Sequence, residues 1–463
     1  MGFMIRQIDE QAKLPDEITL DALGAAVPHT VVQAVVAEQG VAEHRRRKLP
    51  AEVALLLSVV MNLFTHDSLD QVLVKLLKGL RFIWPDPTFV PASKGAVCQA
   101  RYRLGAPPTV ALFHRVCQPM ATAATPAAFL CGLRLMAIDG TTEDVPDTPA
   151  NGYVFGRHTG ARGDSAFPQV QGVYLLECGT HAIVDAGFWP CHTSERVGGL
   201  RLLRSVTAGM LLLWDRGFHS FDMAQRTRAT GAHFLSRLPS HVQLTPFQRL
   251  ADGSSLAQIA PADYQRRKAG ERLVVRVITY TFTDPARPGY GATHRLMTSL
   301  LEAEGSPALE LACAYHERWE IELAIDEIDT HQRLLRHPLR SQKPVGVIQE
   351  LYGLLVAHYV VRRVMHEAAL QVGIDPDRLS FINAMRLICD AIPEFQMVAP
   401  EQQSYLYQRL LGDIARYQLP KRDTRLHPRV VKRKMSNFHL KRGEHRQWPQ
   451  PSMTVRAAVT ILN

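Results

Sequence analysis

Cysteine is scarce in this chain and follows no structural pattern. Only 7 of the 463 residues are cysteine, an odd number, and no Cys-x-x-Cys pair occurs. These features argue against a disulfide framework and against a zinc site of the usual spacing. Two Cys–His pairs lie close together in sequence, Cys178 with His181 and Cys191 with His192. For both pairs the sequence favours ordinary buried thiols over metal ligands.

Long apolar runs and several common enzyme motifs are also missing. No run of about 18 apolar residues is present, so we predict no transmembrane helix and no membrane partner. The first ten residues lack the architecture of a signal peptide, so the expected location is the cytoplasm. There is no Gly-x-Ser-x-Gly, His-Glu-x-x-His or Walker A motif, so a hydrolase of an unrelated class has no support.

Acidic residues are outnumbered by basic ones. The chain has 53 Lys and Arg against 44 Asp and Glu, which gives a net charge of +9. Such a balance favours an anionic partner, most often nucleic acid. One basic run covers 44–48 and includes Arg45 and Arg46, and another covers 421–446 and includes Lys432 and Arg433. A single run is often a solvated tail, but two distant runs favour contact with phosphate.

The first 125 residues predict a helical domain. Apolar residues recur at helical spacing over Ala51–Phe64 and Ser68–Arg81, and Ser68 is placed to cap the second of these helices. A third helix is predicted from Ser93 to Arg103.

This third helix carries Arg101 and Arg103 among other polar side chains. A helix with this composition fits the major groove of DNA, where Arg reads base edges. The alternative is a small helical domain with a basic face, and the residues alone leave both interpretations open.

Two buried strands are predicted to end on aspartate. Leu135–Ile138 leads into Asp139, which Gly140 follows, and Met210–Trp214 leads into Asp215. Ligands often bind at strand ends in α/β sheets. An Asp-Gly pair is also a common turn signal, but the same pattern occurs twice.

The other predicted elements alternate between strands and helices. They are a hairpin of Val170–Glu177 and His181–Phe188, a helix at Ser194–Val206, a helix at Asp222–Thr230 and a strand at His233–Leu238. Residues 240–301 predict a β-rich insertion with strands at Arg272–Thr283 and His294–Leu300. Helices follow at Val345–Ala369, Asp375–Ala391 and Pro400–Tyr417.

A long helix is predicted from Pro307 to Arg333, because this stretch contains no internal Gly or Pro. Tyr315, Arg318 and Glu322 fall within a sector of about 60° on that helix. Arg grips phosphate bidentately, and a neighbouring carboxylate can hold a divalent cation. The alternative is a solvated surface pair of Arg and Glu. Asp326 lies on the same face, so geometry does not choose between Glu322 and Asp326.

Asp139, Asp215 and Glu322 are the candidate catalytic and metal-binding residues. Three carboxylates at one point repel each other unless cations offset their charge. Mg²⁺ and Mn²⁺ prefer oxygen ligands, and two such ions can assist displacement at phosphorus. Tyr315 and Arg318 would then hold the phosphate beside the cleaved bond.

With these residues the chain resembles the bacterial insertion-sequence transposases of the insertion-sequence-four group. The group's signature is an Asp after the first strand, an Asp followed by Gly and an aromatic residue after the fourth, and Tyr-x2-Arg-x3-Glu-x6-Lys on a helix. The corresponding residues here are Asp139, then Asp215 with Gly217 and Phe218, then Tyr315, Arg318 and Glu322. The resemblance covers most of the chain and favours Glu322 over Asp326.

The resemblance implies a fold and a domain order. We expect an α/β ribonuclease-H-like core interrupted by a β-strand insertion, with helical regions at both ends. The expected segments are a DNA-binding domain at 1–125, the core at 126–239 and 302–370, the insertion at 240–301, and a helical C-terminal region with a basic tail at 371–463.

The resemblance also implies an activity. It is cut-and-paste DNA transposition with two Mg²⁺ or Mn²⁺ ions, in which hydrolytic 3′ nicking precedes hairpin formation and strand transfer. Two ends must be held together, so we expect a homodimer on double-stranded DNA that carries the terminal inverted repeats and the target. Arg101, Arg103, Arg45, Arg46, Lys432 and Arg433, with Tyr315 and Arg318, are the expected DNA contacts. The expected location is the bacterial cytoplasm, in association with the nucleoid.

Two positions depart from the group's pattern. The motif's Lys is replaced by Asp329, which would repel phosphate unless Arg333 or protonated His331 substitutes for the missing cation. The insertion also lacks the Trp that some relatives stack on a flipped base, for which Tyr280, Phe282 or Tyr290 are possible replacements. Two alternatives therefore stay open: a ribonuclease-H-like nuclease without strand transfer, and a catalytically impaired DNA-binding derivative.

Overall fold

The computed structural model describes residues 27–42, 49–75, 92–160, 163–287, 289–333, 338–398, 400–420, 431–432, 439–440 and 451–462. The chain folds as two compact units. Of the described residues, unit one contains those up to Ala128, Ala137–Ser205 and Glu320–Leu419, and unit two contains Phe129–Met136, Val206–Trp319 and those from Pro420 onward. The domain boundaries drawn from the sequence stay a prediction.

The labelled helices are α1 His29–Glu38, α2 Ala51–Val60, α3 Lys94–Leu104, α4 Pro107–Val116, α5 Pro149–Phe155, α6 Glu195–Leu202, α7 Phe221–Ala229, α8 Tyr264–Lys268, α9 Ala308–Ala314, α10 Trp319–Asp326, α11 Pro344–Val372, α12 Phe381–Met397, α13 Pro400–Ala415 and α14 Val455–Ala458. The labelled strands are β1 Leu133–Asp144, β2 Gln169–Glu177, β3 Ala182–Pro190, β4 Met210–Trp214, β5 His233–Arg237, β6 Gln248–Arg249, β7 Ser255–Ile259, β8 Leu273–Phe282, β9 His294–Thr298 and β10 Val459–Ile461.

The helix-capping residues predicted in the N-terminal region form the expected hydrogen bonds. The Gln71 side chain accepts a hydrogen bond from the Ser68 backbone N–H at 2.8 Å, which is one half of a capping box. Ser93 Oγ accepts from Ala96 N–H at 3.3 Å and caps α3. The prediction of a helical N-terminal region is confirmed over the described residues.

Unit one is built around α11. This helix packs against α2, α4, α12 and α13 and against β3. Gly353 allows α2 to approach closely, because a Cβ at this position would lie 2.1 Å from the carbonyl oxygen of Ser58. Helix α11 is long and apolar enough to cross a membrane by length and composition, but 83% of its most apolar window is buried inside the protein, as in a core helix.

The sheet of unit one has the order β3–β2–β1, with β1 contributing its last eight residues. Strands β2 and β3 form the predicted antiparallel hairpin, with a register shift between Leu175 and Leu176. The prediction that a strand ends at Asp139 is wrong. Strand β1 continues through Asp139 and Gly140 to Asp144, so Gly140 extends the strand and does not turn the chain.

The sheet of unit two has the order β1–β4–β5–β9–β8–β7–β6, and β10 pairs with β8. Strands β4 and β5 are parallel, as expected for strands joined through helix α7. Strand β9 pairs antiparallel with β5, so the predicted insertion strands extend this sheet at the edge formed by β5.

The long helix predicted from Pro307 to Arg333 is interrupted by a 3₁₀ turn and ends in a π-helical turn. Helix α9 is followed by a 3₁₀ turn at Tyr315–Arg318, then by α10, and then by a π-helical turn at Glu327–Gln332. The angular sector calculated for a regular α-helix therefore does not apply to Tyr315, Arg318 and Glu322. The π turn begins with Glu327, whose carboxylate is 3.1 Å from both His358 Nε2 and Arg362 Nε.

Candidate active site

Asp215 lies at the carboxyl end of a buried strand, as predicted. Residues Leu211–Trp214 of β4 are all fully buried, and Asp215 is half-buried directly after them. Asp215 Oδ1 accepts a hydrogen bond from Gly217 N–H at 2.6 Å and starts a short 3₁₀ turn. This bond fixes the carboxylate at the end of the strand.

Tyr315 and Arg318 lie close to Asp215 in unit two. Both are buried, with 7% and 8% of their surface exposed. The Tyr315 hydroxyl donates to the carbonyl oxygen of Trp214, the residue before Asp215, at 3.4 Å. Burial raises the pKa of Tyr315, the charge of Arg318 opposes this rise, and the charge of Asp215 adds to it. The phenol therefore stays protonated and supports the backbone that presents Asp215.

The 3₁₀ turn is surrounded by cations. The pKa of His316 falls to about 4, mainly through burial and then through the charges of Arg287, His294, Arg237 and Arg318. Arg237 is an exposed residue at the end of β5, the parallel neighbour of β4. Sequence reasoning missed Arg237, although its position at a strand end was a usable signal, and it adds positive charge next to Tyr315.

In unit one, Asp139 is half-buried within β1 and its Oδ1 accepts a hydrogen bond from Gly140 N–H at 2.9 Å. A Cβ at Gly140 would lie 2.9 Å from the Glu195 side chain, so the first residue of α6 lies directly against this point of the strand. The glycine after Asp139 provides space for the Glu195 carboxyl group, which was not identified from the sequence.

Glu322 and Asp326 differ in their surroundings within α10. Glu322 is half-buried, whereas Asp326 is exposed. Asp326 accepts a hydrogen bond from Thr330 Oγ1 at 2.6 Å and lies 3.5 Å from His331 Nε2. Asp326 therefore belongs to a local surface cluster, and this favours Glu322 as the third carboxylate.

Asp329, which replaces the motif's Lys, belongs to a partly buried cluster with Glu143 and Arg333. Arg333 Nη1 donates to Glu143 and lies 3.8 Å from Asp329 Oδ1. Burial, followed by the charge of Glu143, raises the pKa of Asp329 to about 9. Arg333 is engaged by both carboxyl groups, so it does not serve as the substitute cation.

The predicted DNA contacts separate into three groups. Arg101 is 5% exposed and donates to Ser341 Oγ at 3.3 Å and to the Gly346 carbonyl oxygen at 3.2 Å. It therefore anchors α3 to α11. Because its guanidinium is buried in these contacts, its assignment as a DNA contact is wrong. Arg103 is exposed and donates to the Leu49 carbonyl at 3.2 Å. Arg45, Arg46, Arg433 and the side chain of Lys432 lie outside the described residues.

Of the aromatic residues considered for base stacking, two are packed inside unit two. Tyr280 and Phe282 are 3% and 6% exposed and contact the ring of His294. Because both rings are buried, neither is available to stack on a flipped base. Tyr290 is 55% exposed and Trp319 is 49% exposed, with the Arg318 guanidinium 5.6 Å from the Trp319 ring centre.

Comparison with known proteins gives the family. Residues 17–114 match the insertion element 4 transposase N-terminal family, and residues 131–360 match the transposase DDE domain family. The chain is 31% identical over 422 residues to the transposase InsG for insertion sequence element IS4 of Escherichia coli K12, covering 89% of this chain and 92% of the relative. The chain belongs to the insertion-element-4 family of DDE transposases.

A second relative matches a shorter region. The protein InsZ of the same organism is 30% identical over 149 residues, which is 32% of this chain and 50% of InsZ. The predicted identity as a DDE transposase is confirmed. The predictions of a DNA-acting, divalent-metal-dependent enzyme with a ribonuclease-H-like fold are confirmed at that level by the DDE domain. The half-buried carboxylates Asp139, Asp215 and Glu322 offer the oxygen donors that Mg²⁺ and Mn²⁺ prefer.

Proposed function

We propose that this transposase moves its own element by cut-and-paste transposition, with Asp139, Asp215 and Glu322 as the catalytic carboxylates. The observation that carries the proposal is the arrangement around Asp215. A carboxylate fixed at a buried strand end lies beside a protonated phenol and a buried guanidinium, within a cationic environment.

The three carboxylates would hold Mg²⁺ or Mn²⁺, two ions per site. When bound, these ions supply Lewis-acid stabilisation of the attacking and leaving oxygens of a phosphodiester. Arg318 would grip the phosphate next to the cleaved bond, because a guanidinium presents two parallel N–H donors to phosphate oxygens. Burial strengthens this interaction by removing competing water.

Tyr315 would act mainly as a positioning residue. Its hydroxyl contacts the carbonyl oxygen of Trp214, so it supports the backbone that carries Asp215. The contact with DNA predicted for Tyr315 stays a prediction. Arg237 extends the positive surface at the end of β5 and would bind an adjacent phosphate.

Hydrolytic 3′ nicking at the element ends, hairpin formation and strand transfer to target DNA complete the proposed reaction. The two ends require two active sites, so a homodimer bound to the terminal inverted repeats is proposed. A cytoplasmic, nucleoid-associated location follows from that substrate. Arg103, Arg45, Arg46, Lys432 and Arg433 are proposed to bind the phosphate backbone of DNA.

The test is cleavage of a linear duplex that carries the element's terminal repeats, with Mg²⁺ or Mn²⁺. The native protein is compared with Glu322→Gln and with the matched control Asp326→Asn on the same helix. We expect Glu322→Gln to lower cleavage by at least about 10³-fold while DNA binding is retained. Asp326→Asn is expected to cleave at a rate close to native.

The same assay separates the alternatives. Cleavage without joining to a target duplex would favour the nuclease. Binding without cleavage by the native protein would favour the impaired derivative. Equal cleavage by the native protein and Glu322→Gln would overturn the assignment of Glu322, and loss only in Asp326→Asn would transfer the role to Asp326.

A further inference from the structure

Three side chains that could hold a metal ion lie together in unit one, and none of them is one of the three proposed catalytic carboxylates. Donor atoms of His158, Cys191 and His192 all lie within 4.8 Å of one another. His158 follows α5 and the other two follow β3, so 33 residues separate the first ligand from the second. This separation explains why the spacing in sequence did not indicate a site.

The backbone holds the two loops together independently of these side chains. Cys191 N–H donates to the carbonyl oxygen of Phe155 at 2.8 Å, and Gln169 N–H donates to that of Gly156 at 3.0 Å. Phe155 belongs to a buried apolar cluster with Val145, Val170, Leu339, Val347 and Leu351. The end of α5 is therefore fixed against the end of β3.

The loop that carries His158 is fixed from its other side as well. Arg157 Nη1 donates to the carbonyl oxygens of Ser165 at 3.0 Å and Ala166 at 2.8 Å, and Arg157 also pairs with Asp147. These bonds use the guanidinium within the loop. The backbone at His158 is thereby held in place before any ligand binds, and its exposed side chain keeps its rotamer freedom.

The side chains of Cys191 and His192 pack closely against the backbone at Gly156. Gly156 ends α5 with a φ of 76°, and a Cβ at this position would lie 3.3 Å from Cys191 Sγ and 3.5 Å from the His192 ring. The rings of His158 and His192 meet edge to face, with centres 5.8 Å apart. In the described part of the chain, no hydrogen bond or ion pair engages an imidazole nitrogen of either histidine.

We propose that His158, Cys191 and His192 form a zinc site that joins the loop after α5 to the loop after β3. Tetrahedral geometry with bonds of about 2.0–2.3 Å places neighbouring ligand atoms about 3.3–3.6 Å apart. Small rotamer changes of the two exposed histidines bring the present spacing to that value, whereas Cys191 is buried and already oriented. The Cys191 thiol would lose its proton to solvent on binding.

The ligand chemistry selects the metal. One thiolate and two imidazoles suit Zn²⁺ and other borderline-soft ions and do not suit Mg²⁺, which prefers oxygen. The protein offers three ligands, so the fourth position is filled by water or an exogenous group. His192 is three residues before Glu195, whose carboxyl group lies against Gly140, so the site also stabilises the approach to α6.

The test uses untagged full-length protein titrated with Co²⁺ in the presence of excess Mg²⁺. A sulfur-to-cobalt charge-transfer band in the near ultraviolet reports a thiolate ligand, which the carboxylates cannot produce. We expect a band at one Co²⁺ per chain that Zn²⁺ removes by competition. Cys191→Ser is expected to abolish the band, and the matched control Cys131→Ser, which changes an exposed free cysteine, is expected to retain it.

If the Cys191→Ser variant, which changes a buried residue, does not fold, variants of the two exposed histidines still test the proposal. His158→Ala and His192→Ala are expected to fold and to weaken Co²⁺ binding by at least about tenfold. Absence of a thiolate band in the native protein would overturn the proposal. So would native-like binding by both histidine variants, or a band that persists in folded Cys191→Ser.

Discussion

The two irregular turns of the helical segment that runs from α9 to the π turn bury titratable groups of opposite type. In the 3₁₀ turn Tyr315–Arg318, burial and then the charges of neighbouring residues, arginines among them, lower the pKa of the basic residue His316 to about 4. In the π turn Glu327–Gln332, burial and then the charge of Glu143 raise the pKa of the acidic residue Asp329 to about 9.

We interpret this difference as a division of roles, with the proposed phosphate binding at the 3₁₀ turn and a structural role at the π turn. Positive charge around the 3₁₀ turn favours an anionic substrate next to Asp215. In the π turn, burial and then the charge of Glu143 raise the pKa of Asp329, and Arg333 donates to Glu143 and lies 3.8 Å from Asp329 Oδ1. The motif's Lys is thus replaced by Asp329, which is in contact with Arg333 and close to Glu143 inside unit one.

Among changes within the two turns, the largest expected effect comes from removing the buried cation of the 3₁₀ turn. Arg318→Ala should lower cleavage of terminal-repeat DNA by about 10²-fold, because a desolvated phosphate donor is lost. Arg318→Lys keeps the charge without the fork of donors and should recover only part of the rate. Thermal melts of both variants control for folding, and native-like cleavage by folded Arg318→Ala would remove the proposed grip on phosphate.

The protonation of His316 tests its burial first and the cationic surroundings second. Its pKa in the folded protein lies below that of the unfolded chain, so the unfolded chain binds the proton first as the pH falls. Stability should therefore be lost between about pH 6.5 and pH 4. Urea midpoints should show that the native protein loses about 2 kcal/mol more than His316→Gln between pH 7 and pH 4.5. Parallel pH profiles would contradict the depressed pKa.

The carboxyl group of Asp329 in the π turn should give the stability of the protein the opposite dependence on pH. Asp329 has a raised pKa, so the folded protein binds more protons than the unfolded chain between about pH 4 and pH 9, and stability falls as the pH rises through that range. Asp329→Asn cannot lose a proton and should be more stable than the native protein at pH 8 by about 1 kcal/mol, allowing for solvent screening of its exposed part. A lower urea midpoint for the variant at pH 8 would show that Asp329 is ionised.

The smallest expected effect concerns the exposed cation that extends the positive surface. Arg237→Ala should weaken binding of terminal-repeat DNA by about three- to tenfold and reduce the slope of log affinity against log salt by about one. Arg272→Ala, which changes an exposed arginine two residues past the turn that ends α8, is the matched control. If both variants gave the same slope of log affinity against log salt, Arg237 would not contact DNA phosphate, and the cationic surface would be limited to the 3₁₀ turn.

The sequence by itself determined the elements with strong local signals. Cap residues, hydrophobic periodicity and β-branched runs located helices α2 and α3, the β2–β3 hairpin and the β4 strand before Asp215. These features depend on neighbours within a few residues, so they can be read along the chain. The order of Asp, Asp and Tyr-x2-Arg-x3-Glu was sufficient for the family.

Only the tertiary structure decided which of these side chains are buried and what they contact. It assigned Arg101 to the interior, showed that β1 continues past Asp139, and placed Asp329 beside Glu143 and Arg333. It also brought His158 to Cys191 across 33 residues of sequence. Burial and long-range contact depend on how distant segments pack, and no local pattern in the chain encodes that packing.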